Sequence, residues 1–147
     1  MSLITYEDKQ AIGTQPTLPE ANKITDTNMN EIKTAINNST TYSTTEHIIG
    51  TWLTGKPIYS KTINFGALPN NSQKSVAHNI SNIDKIINYK GIAYSGTTFR
   101  TLPACSPLNQ TYNIDLYVDT TNIYIITGSN RTGYTSYVTI EYTKTTD

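Results

Sequence analysis

The spacing of apolar residues changes twice along the chain. In residues 1–24 they fall at Leu3, Ile4, Tyr6, Ile12, Leu18 and Ile24, with a period of neither 2 nor 3.6. Pro16 and Pro19 bracket Thr17 and Leu18, and each proline pushes the residue before it out of the helical region. This stretch reads as an extended arm. Over 26–38 the spacing becomes helical, with Met29, Ile32 and Ile36 at i, i+3 and i+7; Asp26 or Thr27 can cap its start, and Asn37 or Asn38 its end. After a polar hinge over 38–45, the period drops to 2 and stays there. Strands are expected over 47–53, 56–65, 74–80, 85–95, 99–102, 112–118, 123–127 and 137–143. Tyr59, Ile63 and Phe65 share one face of the second, and Ser60, Thr62 and Asn64 the other. Ile114, Leu116 and Val118 share a face, as do Val138, Ile140 and Tyr142.

About eight strands without an intervening helix predict a mainly β fold, an antiparallel β-sandwich of jelly-roll-like type. The expected organisation is an extended arm over 1–24, a short helix over 25–39 and a β head over 40–147. The stripe of Met29, Ile32 and Ile36 is narrow for a helix packed on a globular core and suits a coiled-coil seam. A helix of about three and a half turns is marginal alone in water. Isoleucine at its core positions leans toward trimers. At ~25 cal/mol per Å² the stripe supplies only a few kcal/mol per chain, so a trimer would draw most of its stability from contacts between heads. The arm cannot bury itself. Its spaced apolar residues, with Tyr6, Ile12, Leu18 and Pro19 as the candidate anchors, suit a segment that lies along a partner protein.

Composition narrows the choice of partner. Eleven basic residues balance eleven acidic ones, which leaves no phosphate-neutralising surface and argues against nucleic acid. No apolar run approaches the ~18 residues of a membrane span. Thr, Asn and Ser make up about a third of the chain, and the aromatic residues are 11 Tyr, 2 Phe and 1 Trp. Cys105 is the single cysteine, so an intrachain disulfide is excluded. The first residues carry neither a basic region nor an apolar core of the kind signal peptides have, and folding in a reducing cytoplasm is expected.

Candidate chemistry is sparse. His47 and His78 are the only imidazoles. A pair of Cys105 with His78 can be written, but no helix N-terminus or orienting acid accompanies it. Cysteine, histidine and carboxylates are not clustered at ligand spacing, so no metal and no cofactor is expected. Asp119 reads as a turn residue. The glycine-bearing segment 128–133 lies between antiparallel strands, without the helix that a phosphate cradle needs. The chain is therefore read as non-enzymatic. For binding, tyrosine offers a flat apolar face and a hydroxyl at little entropic cost. Two groups stand out: Asn130, Arg131 and Tyr134 in the 128–134 loop, and Tyr94, Phe99 and Arg100 around the turn at Gly96.

Several blocks carry a resemblance. The run from Ile49-Gly50-Thr51-Trp52-Leu53-Thr54-Gly55-Lys56-Pro57 to Phe65-Gly66-Ala67-Leu68-Pro69-Asn70 resembles one found in fibre and minor structural proteins of tailed bacteriophages and prophages. Ser43-Thr44-Thr45-Glu46, the segment Val76 to Asp84, and Arg131-Thr132 with Tyr137 to Lys144 resemble the same C-terminal β module. Met29-Asn30-Glu31-Ile32-Lys33 is similar to a helix that often precedes it. The likeness covers about residues 43–147, and as a set the blocks are moderately specific. It implies a virion component, usually trimeric, whose head projects while the N-terminal part joins a capsid, tail or fibre protein. No shaft separates arm from head here, a departure from long-fibre relatives that favours a short appendage or an adaptor on the particle; a host-surface glycan or protein is the further partner considered for the head. A free carbohydrate-binding module is the alternative, with Tyr134, Arg131 and Tyr94 as contacts. A small hydrolase built on Cys105 and His78 is a third reading.

Overall fold

The computed structural model describes residues 26–38 and 42–146. The chain forms two compact units, 1–41 and 42–147. The arm, with Tyr6, Ile12, Leu18 and Pro19, lies outside the described residues, as do 39–41 of the hinge. Among the described residues of the first unit, helix α1 spans Asp26–Asn38, the bounds its sequence pattern predicts. The side chains suggested as its caps, Asp26, Thr27, Asn37 and Asn38, lie outside the described ones. Met29 is half-buried, whereas Ile32 and Ile36 are 48% and 46% exposed.

The second unit is mainly β. Its strands are β1 (His47–Thr51), β2 (Pro57–Ala67), β3 (Gln73–Ala77), β4 (Ile83–Ser95), β5 (Thr98–Leu102), β6 (Ile114–Val118), β7 (Asn122–Thr127) and β8 (Thr135–Lys144). They build a five-stranded sheet, β1-β2-β8-β4-β5, and a three-stranded sheet, β3-β7-β6, with every pairing antiparallel. The core lies between the two sheets. Ile63, Phe65, Ala93, Val138, Ile140 and Tyr142 come from the larger sheet, and Ile114, Leu116, Ile123 and Ile125 from the smaller.

The turns follow from their residues. In the β1–β2 hairpin, Gly55 takes a φ of 86° and its N–H donates to Trp52 O at 2.9 Å, a conformation that a Cβ would strain. Between β6 and β7, the Asp119 carboxylate accepts from the N–H groups of Thr121 and Asn122, both at 2.7 Å. That Asx turn is the role its position suggested.

The structure departs from the sequence reading at His78 and at the hinge. Expected inside a strand, His78 lies just past the end of β3, in a connection where Asn79 and Asn82 take φ of 51° and 59°. Asparagine tolerates that left-handed region because its side chain can bond locally. The hinge ends earlier than its polar composition suggested. Ser43 O accepts from Thr62 N–H at 2.8 Å, and the Glu46 carboxylate accepts from the Tyr142 hydroxyl and the Lys144 ammonium. Ser43 and Glu46 are thus bonded into the head. As strand alternation implies, Lys61 shares the inward face of β2 with Tyr59 and Ile63, and the register sets it opposite buried Ile140. Its ammonium donates to His78 O and Asn79 O, both at 3.1 Å, so the connection after β3 supplies the acceptors that an inward lysine requires.

Candidate binding face

The outward face of the five-stranded sheet carries a group of aromatic and apolar side chains that the core leaves uncovered. Its position follows from strand alternation. On β8, Val138, Ile140 and Tyr142 point inward, which turns Tyr137, Thr139 and Glu141 outward. Register then places Thr62 and Lys90 beside Thr139, and Ile92 beside Tyr137. The Thr62 and Thr139 hydroxyls meet at 2.9 Å. With Ser43 tied to Thr62, Tyr42 enters over this surface, and Lys90 Nζ lies 5.6 Å from its ring centroid. Tyr42, Thr62, Lys90, Gly91, Ile92, Tyr137 and Thr139 line a cavity of about 490 Å³, within the usual range for ligand pockets. The aromatic surface continues past Tyr137. The Tyr94 ring stacks on Tyr137 at 6.4 Å with an interplanar angle of 3°, and Phe99 meets Tyr94 at 6.2 Å.

The two groups suggested by the sequence are thereby partly redistributed. Tyr94 and Phe99 do share a surface. Arg100 does not join them, because it pairs with Ala93, whose side chain is wholly buried, and so takes the other face of β5. In the loop group, the Asn130 side-chain oxygen accepts from Thr132 N–H at 3.1 Å and from its hydroxyl at 2.9 Å, which makes it a turn former. The Arg131 guanidinium lies over the Tyr112 ring at 5.4 Å. Tyr134 packs against the core, half-buried. The sequence reading missed Tyr42, Lys90, Ile92, Tyr137 and the Thr62–Thr139 pair. Their only one-dimensional signal is outward alternation on three separate strands, and which strands are neighbours is not written in the alternation.

The ionisable groups are mostly engaged in holding the head together. Burial raises the Glu46 carboxyl, but the bonds from Lys144 and Tyr142 outweigh it and hold the group below the ordinary carboxylate range. Burial, with Glu46 alongside, pushes the Tyr142 phenol well up. Asp84 is lowered by the Lys56 ammonium at 2.8 Å, and Asp119 by the backbone N–H groups of its own turn. Buried His78 accepts from Ile80 N–H at Nδ1 (3.1 Å), so Nε2–H donates to Asp119 O (3.2 Å). Desolvation lowers its pKa. With both ring nitrogens occupied, His78 has no lone pair to offer a thiol, and Cys105 is exposed in the loop that follows β5. Among the described residues, no three His, Cys, Asp or Glu side chains gather as metal ligands would, and no helix is long and apolar enough to cross a membrane.

No family model, curated protein or solved structure matches the chain.

Proposed function

We propose that this chain is a structural protein of a bacteriophage particle: a short homotrimeric fibre or appendage with a jelly-roll-like β head. Residues 1–24 tie it to another virion protein of the capsid, tail or fibre, and the head contacts the host surface. One observation carries the proposal. The sequence blocks that bear the resemblance, far apart in the chain, are bonded to one another in the fold. Glu46, from the first block, accepts from Tyr142 and Lys144 in the last. Lys61, from the second, donates to His78 and Asn79 in the third. β2 and β8, from the second and last blocks, pair directly along eight register positions, from Tyr59↔Tyr142 to Ala67↔Thr135. Blocks that recur together as a module are expected to form a contiguous framework of this kind.

Removing residues 1–24 tests the anchor. The truncated chain is expected to fold and assemble as the full chain does, yet to be missing from purified particles by mass spectrometry. Truncated protein found in particles at the native level would place the anchor elsewhere. Light scattering on the full chain tests assembly, and a monomer at tens of micromolar would overturn the trimer.

The cavity between Tyr42 and Tyr137 favours a second reading, a free carbohydrate-binding module, because flat rings beside threonine hydroxyls suit a sugar face. A glycan array of bacterial surface polysaccharides separates the two. Binding by a chain that never enters particles supports the second reading.

A further inference from the structure

We propose that the outward face of the five-stranded sheet, centred on Tyr42, Lys90, Ile92 and Tyr137, is where copies of this chain meet in the homotrimer. This rests on the trimer reading above and names the surface that forms it.

Size is the first argument. β2, β4 and β8 contain 11, 13 and 10 residues, and β1 and β5 contain five each. At ~3.4 Å per residue and ~4.8 Å between strands, this face has a flat area of roughly 700 Å². A stable interface takes about 800 Å² of accessible surface per partner, and a corrugated face offers more accessible than flat area. The match is close.

Chemistry is the second. Ile92 is 40% exposed and Phe99 67% exposed, with the stacked Tyr94–Tyr137 pair between them in register and an apolar cavity beside it. Aromatic side chains around a depleted set of charges are the composition of an interface core. The middle of the face carries one cation and one anion, Lys90 and Glu141, each next to Thr139 in pairing or along the strand. Copies meeting here can set Lys90 of one against Glu141 of another, without like-charge repulsion.

Connectivity is the third. α1 ends at Asn38 and the head begins at Tyr42, so the covalent reach between them is at most ~14 Å. Three copies joined through the Met29, Ile32 and Ile36 stripe would therefore bring their three Tyr42 residues near one axis. Tyr42 is itself a wall of this face.

The test compares the full native chain with Ile92→Glu and Phe99→Ser, and uses Leu53→Ser and Leu108→Ser as controls. Leu53 and Leu108 are 91% and 97% exposed and do not line the cavity. Light scattering across a dilution series is expected to show at least ~10-fold weaker association for both face variants and no change for the controls. Thermal melts check that the variants fold. Hydroxyl-radical footprinting of the native trimer should protect Tyr42, Ile92, Phe99 and Tyr137 while labelling Leu53 and Leu108. A native monomer overturns the trimer reading and this surface together. A native trimer that is indifferent to both face variants, with the four side chains labelled, overturns the surface alone and leaves the face open to a saccharide or another protein.

Discussion

Acidification to pH 5 should weaken the head through one residue, His78. The imidazole is 1% exposed and its neutral tautomer is fixed by two bonds, Ile80 N–H to Nδ1 and Nε2–H to Asp119 O. Protonating Nδ1 would set a donor against the Ile80 N–H and would also charge a buried ring. Desolvation therefore lowers the folded pKa below the ordinary 6.5; the neighbouring Lys61 acts in the same direction, while Asp119 opposes it. A lowered histidine contributes stability that is fully present above 6.5 and is lost as the pH falls toward the folded value, because the unfolded chain then binds a proton that the native state refuses. Each pH unit in that window removes at most ~1.4 kcal/mol. Between pH 8 and pH 5 the loss is therefore at most ~2 kcal/mol, or up to roughly 10 °C in Tm for a domain of this size. The lowered carboxylates Glu46, Asp84 and Asp119 act below about pH 4, so they do not mask the effect. Urea melts at pH 8, 6.5, 5.5 and 5 measure it. His78→Asn keeps an acceptor for Ile80 N–H and cannot titrate, so its stability should be flat over this range. A native protein that is flat from pH 7 to 5, or a variant that keeps the full slope, refutes the reasoning.

Three further substitutions test the framework. Tyr142→Phe removes the hydroxyl by which a wholly buried tyrosine donates to the partly exposed Glu46 carboxylate, and should cost ~1–3 kcal/mol in chemical denaturation. Ile125→Ala empties space at a wholly buried position of β7 and should cost ~2–5 kcal/mol, with the denaturant slope unchanged. Gly128→Ala places a Cβ 2.6 Å from the Gln110 carbonyl oxygen, so the 3-10 turn at Gln110–Tyr112 must shift; a loss of ~1–3 kcal/mol is expected by thermal melt.

Strand alternation made most of the head legible. β8 reads inward at Val138, Ile140 and Tyr142 in both sequence and structure, and so does β6 at Ile114 and Leu116, because a slip of one residue would turn each apolar set to water. α1 was equally clear, since Met29, Ile32 and Ile36 mark its one apolar stripe. What escaped was anything fixed by a partner strand distant in sequence. Alternation turns Lys61 inward with Tyr59 and Ile63, but nothing local in sequence names its acceptors, His78 O and Asn79 O. Ser43 reads as hinge polarity although its carbonyl bonds to β2, and the partners of Glu46 lie almost a hundred residues downstream. The binding candidates fared likewise. Tyr94 and Phe99 are close in sequence and were grouped correctly, whereas Tyr42, Lys90 and Tyr137 meet only through the order β2-β8-β4.

The two outward faces of the head differ in a way that bears on which of them meets a partner. On the smaller sheet, Tyr117 and Tyr124 stack across β6 and β7 at 4.7 Å, and their hydroxyls donate to Gln73 and Asp119. Each ring covers the other, and each hydroxyl already has an acceptor within the same sheet. A partner docking there would have to break those bonds or settle for their edges. On the larger sheet the rings are spread further, at 6.4 Å for Tyr94–Tyr137, and they run from a cavity to a phenylalanine that is mostly in water. The Thr62–Thr139 bond uses one hydroxyl hydrogen and leaves the other for a partner. Tyrosine is abundant on both faces, so composition alone does not separate them. The hydrogen bonding does: one face is internally complete, and the other keeps both apolar area and polar capacity in reserve. Should copies of the chain associate as proposed, the larger sheet is therefore the face with more to gain, and Tyr42 lines its cavity.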